Sequence, residues 1–545
     1  MRETSDVRIP AINRRALLSG AAAFGLGGVF APRAFALATA VSRVVKTTNG
    51  PVRGLVDEGV HEFKGLRYAA PPVGNLRFAP PRKPAPWTAT VDAMRYGASA
   101  MQLASGGSAV AYPGTVGPAL GQVFGALEDR LRQSEDCLVH NVWTPGRDAS
   151  RRPVMVWFHG GGFNYGSGSW PAYDGHNLAR DHDVVVVTVN HRLNVFGYLA
   201  VGEAPTATAN VGMLDCVALL EWVRDNIAEF GGDPGNVTIF GQSGGGSKVS
   251  HLLAMPAAKG LVHKAIIQSG PGLRSGRPME ALATADKVAR HLGLSARDID
   301  ALRALPAEKL LTAAAAARGP QARGGPRYGP VLDGDIVPRD PFTPDAPPIS
   351  KDVPIMVGYT KDEVTLYNVG LPWWGSLTEQ QLMERAREAH GEKAEALLAA
   401  FREEHPDYSN DYLFTDITNF AFLGSVTLAE RKARQGGASV WLYQFDWEAP
   451  VDDGILRAPH TIEIPFVFDN VDKGPLLLGR ANGTKRLGQL ASAAWTAFAR
   501  TGDPNTRGLP TWKRYDVETR PTMVFGVQSR VVNDSMGAAR RILQS

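Results

Sequence analysis

From Pro153 onward, short continuous apolar runs alternate with helical stretches, and this alternation is the strongest constraint on the fold. The runs include "VMVWF" (154–158), "VVVVTVN" (184–190) and "VTIF" (237–240), and the helical "LLEWVRDNIAEF" (219–230) separates the second from the third. Runs that are apolar at every position are typical of strands buried on both faces of a parallel sheet. The series predicts an α/β fold with a large, mostly parallel central sheet flanked by helices.

The first 36 residues have the pattern of a bacterial twin-arginine export signal. Arg14 and Arg15 precede a weakly apolar run rich in glycine and alanine, and Ala34-Phe35-Ala36 is a small-x-small cleavage site. The run is too short and too rich in glycine for a stable membrane span. We therefore expect a signal at 1–36, no stable membrane insertion, and an exported protein, periplasmic or secreted, with a single domain at 41–541.

The net charge of +4 gives no support for nucleic acid as a partner. Residues 1–36 hold five arginines against Glu3 and Asp6, hence +3, which leaves about +1 for the remaining chain. The two cysteines, Cys137 and Cys216, are expected to be free and buried, because twin-arginine substrates fold in the reducing cytoplasm.

The stretch "NVTIFGQSGGGSKVSHLL" (236–253) joins a predicted strand to a predicted helix from Lys248 onward through a glycine-rich turn. Such a turn can bind phosphate or can expose a nucleophilic serine. A P-loop requires lysine before the hydroxyl residue, whereas here Ser247 precedes Lys248. The reversed order disfavours a phosphate site.

The same turn contains Gly-x-Ser-x-Gly at 241–245, with Ser243 as the candidate nucleophile. Glycines beside the serine permit a sharp strand-to-helix turn, and the following helix N-terminus favours a developing oxyanion. Upstream, "HGGGF" begins at His159 directly after a predicted strand, which is the position of the oxyanion-hole loop in esterases and lipases. Together these two motifs predict a serine hydrolase.

A base and an acid are expected downstream of the serine, in the order Ser, acid, His. Of the six histidines after Ser243, His460 in "RAPHTIEIPFVF" lies on a polar turn after a strand-like run. Asp362 and Glu363 both follow the predicted strand "IMVGY". The pattern alone does not choose between these two neighbouring carboxylates.

These blocks resemble the type-B carboxylesterases, a group of α/β-hydrolases. The resemblance extends from "FKGLRYAAPPVGNLRFAPP" through "SEDCLVHNVWTP", "HGGGF", "FGQSGGG", "GYTKDE" and "HTIEIPFVF" to "FARTGDPN". It implies an α/β-hydrolase fold with loop and helical insertions around the pocket, a small-molecule ester as substrate, and no metal or organic cofactor. It assigns Glu363 as the acid beside Ser243 and His460, with backbone oxyanion donors at Gly161, Gly162 and Gly244.

The sequence also departs from the pattern of that family. Gln242 occupies a position that is commonly glutamate, and Gly244 one that is commonly alanine. No tryptophan occurs between Trp87 and Trp143, so the loop in between has none for binding a choline cation. Met101 stands where the family has a cysteine that pairs with the equivalent of Cys137. We therefore expect this loop to be a mobile lid, and a choline ester to be a poor substrate.

The sequence thus predicts a carboxylesterase that forms an acyl-enzyme through a Ser-His-Glu triad. An interfacial lipase is an alternative, which a jump in activity above the solubility limit of the substrate would reveal. A non-catalytic, neuroligin-like binding protein is a second alternative. The presence of Ser243, Glu363 and His460 argues against it.

Overall fold

A twelve-stranded mixed sheet forms the centre of the molecule. The computed structural model describes residues 40–103, 111–125, 132–318 and 328–545, so the predicted export signal at 1–36 lies outside the described residues. The strands are β1 Ala40–Val41, β2 Val45–Lys46, β3 Pro51–Arg53, β4 Leu55–Asp57, β5 Val60–Arg67, β6 Val91–Asp92, β7 Val139–Thr144, β8 Arg152–Phe158, β9 Val185–Val189, β10 Gly232–Gln242, β11 Lys264–Gln268, β12 Ile355–Thr360, β13 Val440–Phe445, β14 Pro521–Phe525 and β15 Arg530–Asn533.

Apart from the connection between β7 and β8, each connection from β6 to β14 contains at least one α-helix. The helices are α1 Val116–Phe124, α2 His176–His182, α3 Asn194–Tyr198, α4 Pro205–Thr208, α5 Val211–Asn226, α6 Gly244–Leu252, α7 Pro278–His291, α8 Ile299–Ala304, α9 Ala307–Arg318, α10 Thr365–Asn368, α11 Glu379–His390, α12 Ala394–Glu404, α13 Asn410–Ile417, α14 Phe420–Arg434, α15 Ile464–Val467, α16 Pro475–Leu478, α17 Asn482–Thr501 and α18 Gly537–Gln544. Helix α6 begins four residues earlier than the sequence pattern predicts, directly after Ser243.

The strand order is β1-β4-β5-β7-β9-β8-β10-β11-β12-β13-β14-β15. All neighbours from β9 to β14 in this order are parallel, and the pairs at the two edges are antiparallel. In the centre, Phe240 of β10 lies between Trp157 of β8 and Ile266 of β11. The predicted α/β architecture with a parallel central sheet is confirmed.

The central strands are buried on both faces, which explains their continuous apolar runs. In β8, Val154, Val156 and Phe158 pack into one core cluster, whereas Met155 and Trp157 pack into a second. Successive side chains of a strand point to opposite faces, so each strand contributes to both clusters. Burial on two faces leaves no position for a polar residue along most of each run.

The carboxyl ends of β10, β12 and β13 meet at one edge of the sheet, because these strands are parallel. Ser243 directly follows β10, Glu363 follows β12, and His460 lies in the segment between β13 and α15. Open α/β sheets bind their ligands at this edge. The topology thus brings together three segments that lie far apart in the chain.

Two further expectations concern the predicted lid and the cysteines. The loop before Cys137 contains helix α1, whereas other parts of it lie outside the described residues. Cys137 and Cys216 are free and buried, as expected, and burial raises the pKa of both thiols.

Across the part of the chain that the structure describes, no helix is long and apolar enough to cross a membrane.

Candidate active site

Ser243 occupies a strained turn between β10 and α6. Its φ of 57° and ψ of −122° lie in a region that non-glycine residues rarely adopt. The glycines around it are required by close contacts, because a methyl on Gly245 would lie 1.9 Å from the carbonyl oxygen of Phe158. The Ser243 N–H donates to the carbonyl of Gln268 over 2.8 Å, which ties the turn to the end of β11. The turn has the form of a nucleophile elbow.

The glycines at 160–162 pack against this elbow. A methyl on Gly160 would lie 3.6 Å from Cβ of Ser243, and one on Gly244 would lie 2.1 Å from the carbonyl oxygen of Gly162. Gly161 and Gly162 adopt φ values of 85° and 63°, which side chains disfavour. Among the described residues, the N–H groups of Gly161, Gly162 and Gly244 have no hydrogen-bond acceptor. They are the three donors that the family resemblance implies.

Glu363 and His460 contact each other directly. Glu363 Oε2 and His460 Nδ1 form a short hydrogen bond, and both side chains are almost completely buried. The other carboxylate oxygen of Glu363 accepts from the Thr360 N–H over 2.8 Å, and the His460 N–H donates to the Glu363 carbonyl over 3.2 Å. A carboxylate at Nδ1 places the imidazole proton there and leaves the Nε2 lone pair for proton transfer.

Asp362, the neighbouring carboxylate, faces elsewhere. Its two oxygens accept from the Ala458 N–H over 3.1 Å and from the Tyr408 hydroxyl over 3.2 Å. Burial raises the pKa of Asp362 to about 6. Of the two carboxylates that the sequence pattern leaves open, Glu363 is therefore the one that contacts His460.

Gln242 lies against the imidazole of His460. Its Nε2 is 3.1 Å from Nε2 and 3.3 Å from Nδ1 of the ring. The in-plane directions of the two ring nitrogens diverge, so near-equal distances place the amide nitrogen against the ring face. Within the described residues, the Ser243 hydroxyl makes no hydrogen bond, to His460 or to any other group. Catalytic hydrogen bonds often form only when the substrate is bound.

A third buried carboxyl, Glu463, lies close enough to Glu363 and His460 to interact with their charges, and it was not predicted from the sequence. Its Oε1 accepts from Gln268 Nε2 over 3.3 Å, and its Oε2 has no partner among the described residues. Burial first, and then the charge of Glu363, raise the pKa of Glu463 to about 7. The signal that could have revealed it is one acidic residue inside the apolar run "IEIPFVF".

We expect Glu463→Gln to be more stable than the wild type at pH 8 and equally stable at pH 4. The raised pKa means that the native state keeps a proton that the unfolded chain loses above its ordinary pKa of 4.5. Stability from this group is complete below that value and is lost as pH rises through about 7. Thermal unfolding at both pH values should give a melting temperature higher by roughly 1–3 °C at pH 8 only. Equal shifts at both pH values would contradict the burial of an ionisable carboxyl here.

Gly244→Ala, although it introduces the residue common in the family, is expected to lower kcat/KM about 10- to 100-fold. The new methyl would meet the Gly162 carbonyl at 2.1 Å, so residues 161 and 162, whose N–H groups are the expected donors, must move. Gly483→Ala is a matched control in the first turn of α17, where a methyl makes ordinary contact with Trp447 at 3.7 Å. Steady-state hydrolysis of a p-nitrophenyl ester measures both variants. Wild-type kinetics in Gly244→Ala would show that the loop tolerates the methyl.

A group of possible metal ligands lies on other elements. Among the described residues, Asp57 of β4, Glu62 of β5 and His176 of α2 have ligand atoms within 4.8 Å of one another. Glu62 already accepts from His176 Nδ1 over 2.9 Å and pairs with Lys64 over 2.6 Å. The group contains none of the predicted site residues, and Lys64 already forms an ion pair with its buried carboxylate, Glu62.

Comparison with known proteins identifies the family of the chain. The carboxylesterase family model matches residues 41–541. The chain is 36% identical over 508 residues to a para-nitrobenzyl esterase of Bacillus subtilis, covering 92% of this chain and 98% of that protein. It is also 36% identical to a phenmedipham hydrolase of Pseudarthrobacter oxydans, covering 89% of this chain and 95% of that one.

Among solved structures, a carboxylesterase of Geobacillus stearothermophilus is similar, with a TM-score of 0.76 and 37% identity over 92% of this chain and 100% of that chain. A para-nitrobenzyl esterase structure likewise has a TM-score of 0.76 and 35% identity, covering 92% of this chain and 99% of that chain. These carboxylesterases have the α/β-hydrolase fold. The chain therefore belongs to the carboxylesterase family and is a carboxylic-ester hydrolase of the α/β-hydrolase fold.

Proposed function

We propose that the chain hydrolyses carboxylic esters through an acyl-enzyme formed on Ser243. His460 Nε2 takes the hydroxyl proton as Ser243 Oγ attacks the ester carbonyl, and Glu363 stabilises the resulting imidazolium. The C–O bond to the alcohol then breaks, and His460 returns its proton to the leaving oxygen. Water repeats the cycle on the acyl group and releases the acid. The tetrahedral oxyanion binds the N–H groups of Gly161, Gly162 and Gly244.

The observation that carries this proposal is the buried Glu363–His460 hydrogen bond next to the strained Ser243 turn. In this proposal, the carboxylate at Nδ1 leaves Nε2 of the imidazole as the base for the Ser243 hydroxyl. The three unpaired N–H groups supply charge stabilisation without a metal ion, so the proposed mechanism uses only groups of the chain.

A fluorophosphonate probe tests the mechanism. We expect one probe molecule per chain, bound to the peptide that contains Ser243, because phosphonylation requires an activated serine and oxyanion donors. Labelling should persist in Cys137→Ala, whose thiol is buried, and should be lost in Ser243→Ala. Absence of labelling in a folded wild-type protein that also fails to hydrolyse p-nitrophenyl acetate would refute the proposed function.

For the substrate, we propose esters that carry a compact aromatic group. The rings of Tyr367 and Phe420 lie 5.6 and 5.4 Å from the His460 ring and are 40% and 52% exposed. Two aromatic faces beside the base favour stacking with a flat substrate group. The names of two relatives, para-nitrobenzyl esterase and phenmedipham hydrolase, are consistent with this class. The lack of tryptophan between Trp87 and Trp143 argues against choline esters.

A matched pair of esters tests this preference. Benzyl acetate and cyclohexylmethyl acetate have alcohols of similar size and differ in the aromatic ring. We expect kcat/KM to be about 2- to 10-fold higher for the benzyl ester, the range given by aromatic pairing. Replacing both Tyr367 and Phe420 with leucine should remove the difference. Equal rates in the wild type would contradict an aromatic preference.

We also propose that the chain is exported, on the basis of Arg14, Arg15 and the site at Ala34-Phe35-Ala36. Expression in a bacterium with a twin-arginine pathway should yield processed protein outside the cytoplasm. Replacing both arginines with lysine should keep the unprocessed protein inside. Export of the double variant at the wild-type level would contradict this proposal.

A further inference from the structure

Lys248 is a buried lysine in α6 whose ammonium group lies under the oxyanion loop (residues 159–162). Its side chain is fully buried, and its Nζ donates to the Gly162 carbonyl over 2.8 Å and to the His159 carbonyl over 3.4 Å. The ring of Phe163 lies 4.7 Å from Nζ. Within the described residues no carboxylate pairs with Lys248, and burial lowers its pKa to about 7. Burying an unpaired cation is costly, so a specific role is expected for these contacts.

The two carbonyls flank the segment that carries two of the oxyanion donors. The His159 carbonyl belongs to the peptide before Gly160, and the Gly162 carbonyl belongs to the peptide after Gly162. A hydrogen bond to a carbonyl fixes the plane of its peptide group. Both ends of the segment with the Gly161 and Gly162 N–H groups are therefore anchored on one ammonium group.

Backbone hydrogen bonds already hold the middle of this segment, where the Gly161 carbonyl accepts from the N–H groups of Asn164 and Tyr165 over 3.2 and 3.3 Å, so the anchor is needed at its two ends. Gly161 and Gly162 have positive φ values, which glycine adopts with little steric preference. Oxyanion donors act only when they are held at the position of the developing charge. Lys248 supplies a fixed reference point, since it lies on the same helix as Gly244, the third donor.

Neither histidine near the oxyanion loop bridges its two ends, although His159 holds the peptide group that carries the Gly161 N–H. His159 and His191 stack at 4.8 Å. The Nδ1 of His159 donates to the Gly160 carbonyl over 2.9 Å, inside the loop, and the Nδ1 of His191 donates to the Arg192 carbonyl over 3.0 Å, outside it. Burial holds the pKa of both rings well below the usual range, so both are neutral. Each has an Nε2 without a partner among the described residues. Lys248 is thus the donor that bridges the two ends of the oxyanion loop.

We propose that Lys248 is a positioning residue that holds the Gly161 and Gly162 N–H groups at a fixed distance from the Gly244 N–H. The inference rests on the proposed function, in which these three groups bind the oxyanion. Lys248 does not contact the substrate; it acts through the peptide groups of residues 159–162. Its loss should weaken transition-state binding without altering substrate binding to the same degree.

The test compares Lys248→Met with Lys432→Met. Lys432 is a matched control, because it is also buried and its Nζ donates to the carbonyls of Ser350 and Lys351 over 2.9 and 2.6 Å. Ser350 and Lys351 precede β12 whereas Glu363 follows it, so these contacts lie at the opposite end of that strand from the site. Both variants remove a carbonyl-bound ammonium group, so both are expected to lower the melting temperature. Kinetics with p-nitrophenyl acetate, fluorophosphonate labelling rates and inhibition by a trifluoromethyl ketone are measured at 25 °C on folded protein.

In Lys248→Met, we expect kcat/KM, the labelling rate and the affinity for the ketone to fall together by about 10- to 100-fold. KM should change less than kcat. In Lys432→Met, all three should stay within about twofold of the wild type. The ketone forms a tetrahedral oxyanion, so its affinity depends on how well the N–H groups of Gly161, Gly162 and Gly244 are positioned. A general loss of stability would not change this affinity.

Lys248→Gln provides a second variant if Lys248→Met does not fold, because its polar side chain is too short to reach the Gly162 carbonyl. Wild-type ketone affinity and kcat/KM in either folded Lys248 variant would overturn the proposal, as would equal losses in Lys432→Met. These outcomes are distinct from a failure of the proposed function, in which the wild type itself does not react with the fluorophosphonate.

Discussion

Replacing Ser243 with alanine is expected to lower kcat about 10⁶-fold, the loss seen when the nucleophile of a serine hydrolase triad is removed. Ser243 lies on the strained turn directly after β10 and before Gly244, and alanine has no oxygen to form the proposed acyl-enzyme. Hydrolysis of p-nitrophenyl acetate with active-site titration measures the loss and excludes contaminating enzyme.

Ser247→Ala is the control for this prediction. Ser247 lies one turn further along α6, and its backbone N–H donates to the Ser243 carbonyl over 3.0 Å, a bond that alanine keeps. We expect its kcat to stay within about threefold of the wild type, as for a substitution that removes no catalytic group. More than 1% residual activity in Ser243→Ala, after titration, would show that another residue is the nucleophile.

Replacing Glu363 with glutamine is expected to lower kcat about 10³- to 10⁴-fold, with a much smaller change in KM. The amide is neutral, so it does not stabilise the imidazolium that forms when His460 accepts a proton. Its NH₂ group also favours the wrong tautomer at Nδ1. The amide oxygen still accepts from the Thr360 N–H, so the local fold should persist.

Asp362→Asn is the matched control for Glu363→Gln. Asp362 is equally buried and adjacent in sequence, yet it binds Ala458 and Tyr408 and does not bind His460. We expect kcat within about fivefold of the wild type, because the imidazole keeps its partner. Circular dichroism confirms folding in both variants, and steady-state kinetics compares them. Losses of similar size would contradict the assignment of Glu363 as the orienting acid.

The local features of this chain could be predicted because they depend on neighbouring residues. The strand ending at Phe158 is buried on both faces, so every position in "VMVWF" is apolar. With the backbone of this chain, a side chain at 241, 244 or 245 would meet backbone atoms, and all three positions are glycine. Both features are therefore visible in the sequence, as an apolar run and as a cluster of glycines.

The start of α6 was predicted less well, because the pattern considers only the propensities of neighbouring residues. The glycines at 244–246 disfavour a helix by intrinsic propensity, so the pattern places its start at Lys248. In the structure the helix begins at Gly244, because close packing of residues 244 and 245 against the backbone of β8 and the oxyanion loop outweighs that preference.

By itself, the sequence determined the α/β fold, the serine turn and the glycine loop, since each is a local pattern of apolar runs or small residues. Only the tertiary structure decided that Glu363 contacts His460, and that Gln242 lies on a ring 218 residues away. It alone placed Lys248 under the oxyanion loop, 86 residues from Gly162. Such contacts depend on which strands are neighbours and on the direction of each side chain, and neither property is encoded in a short stretch of sequence.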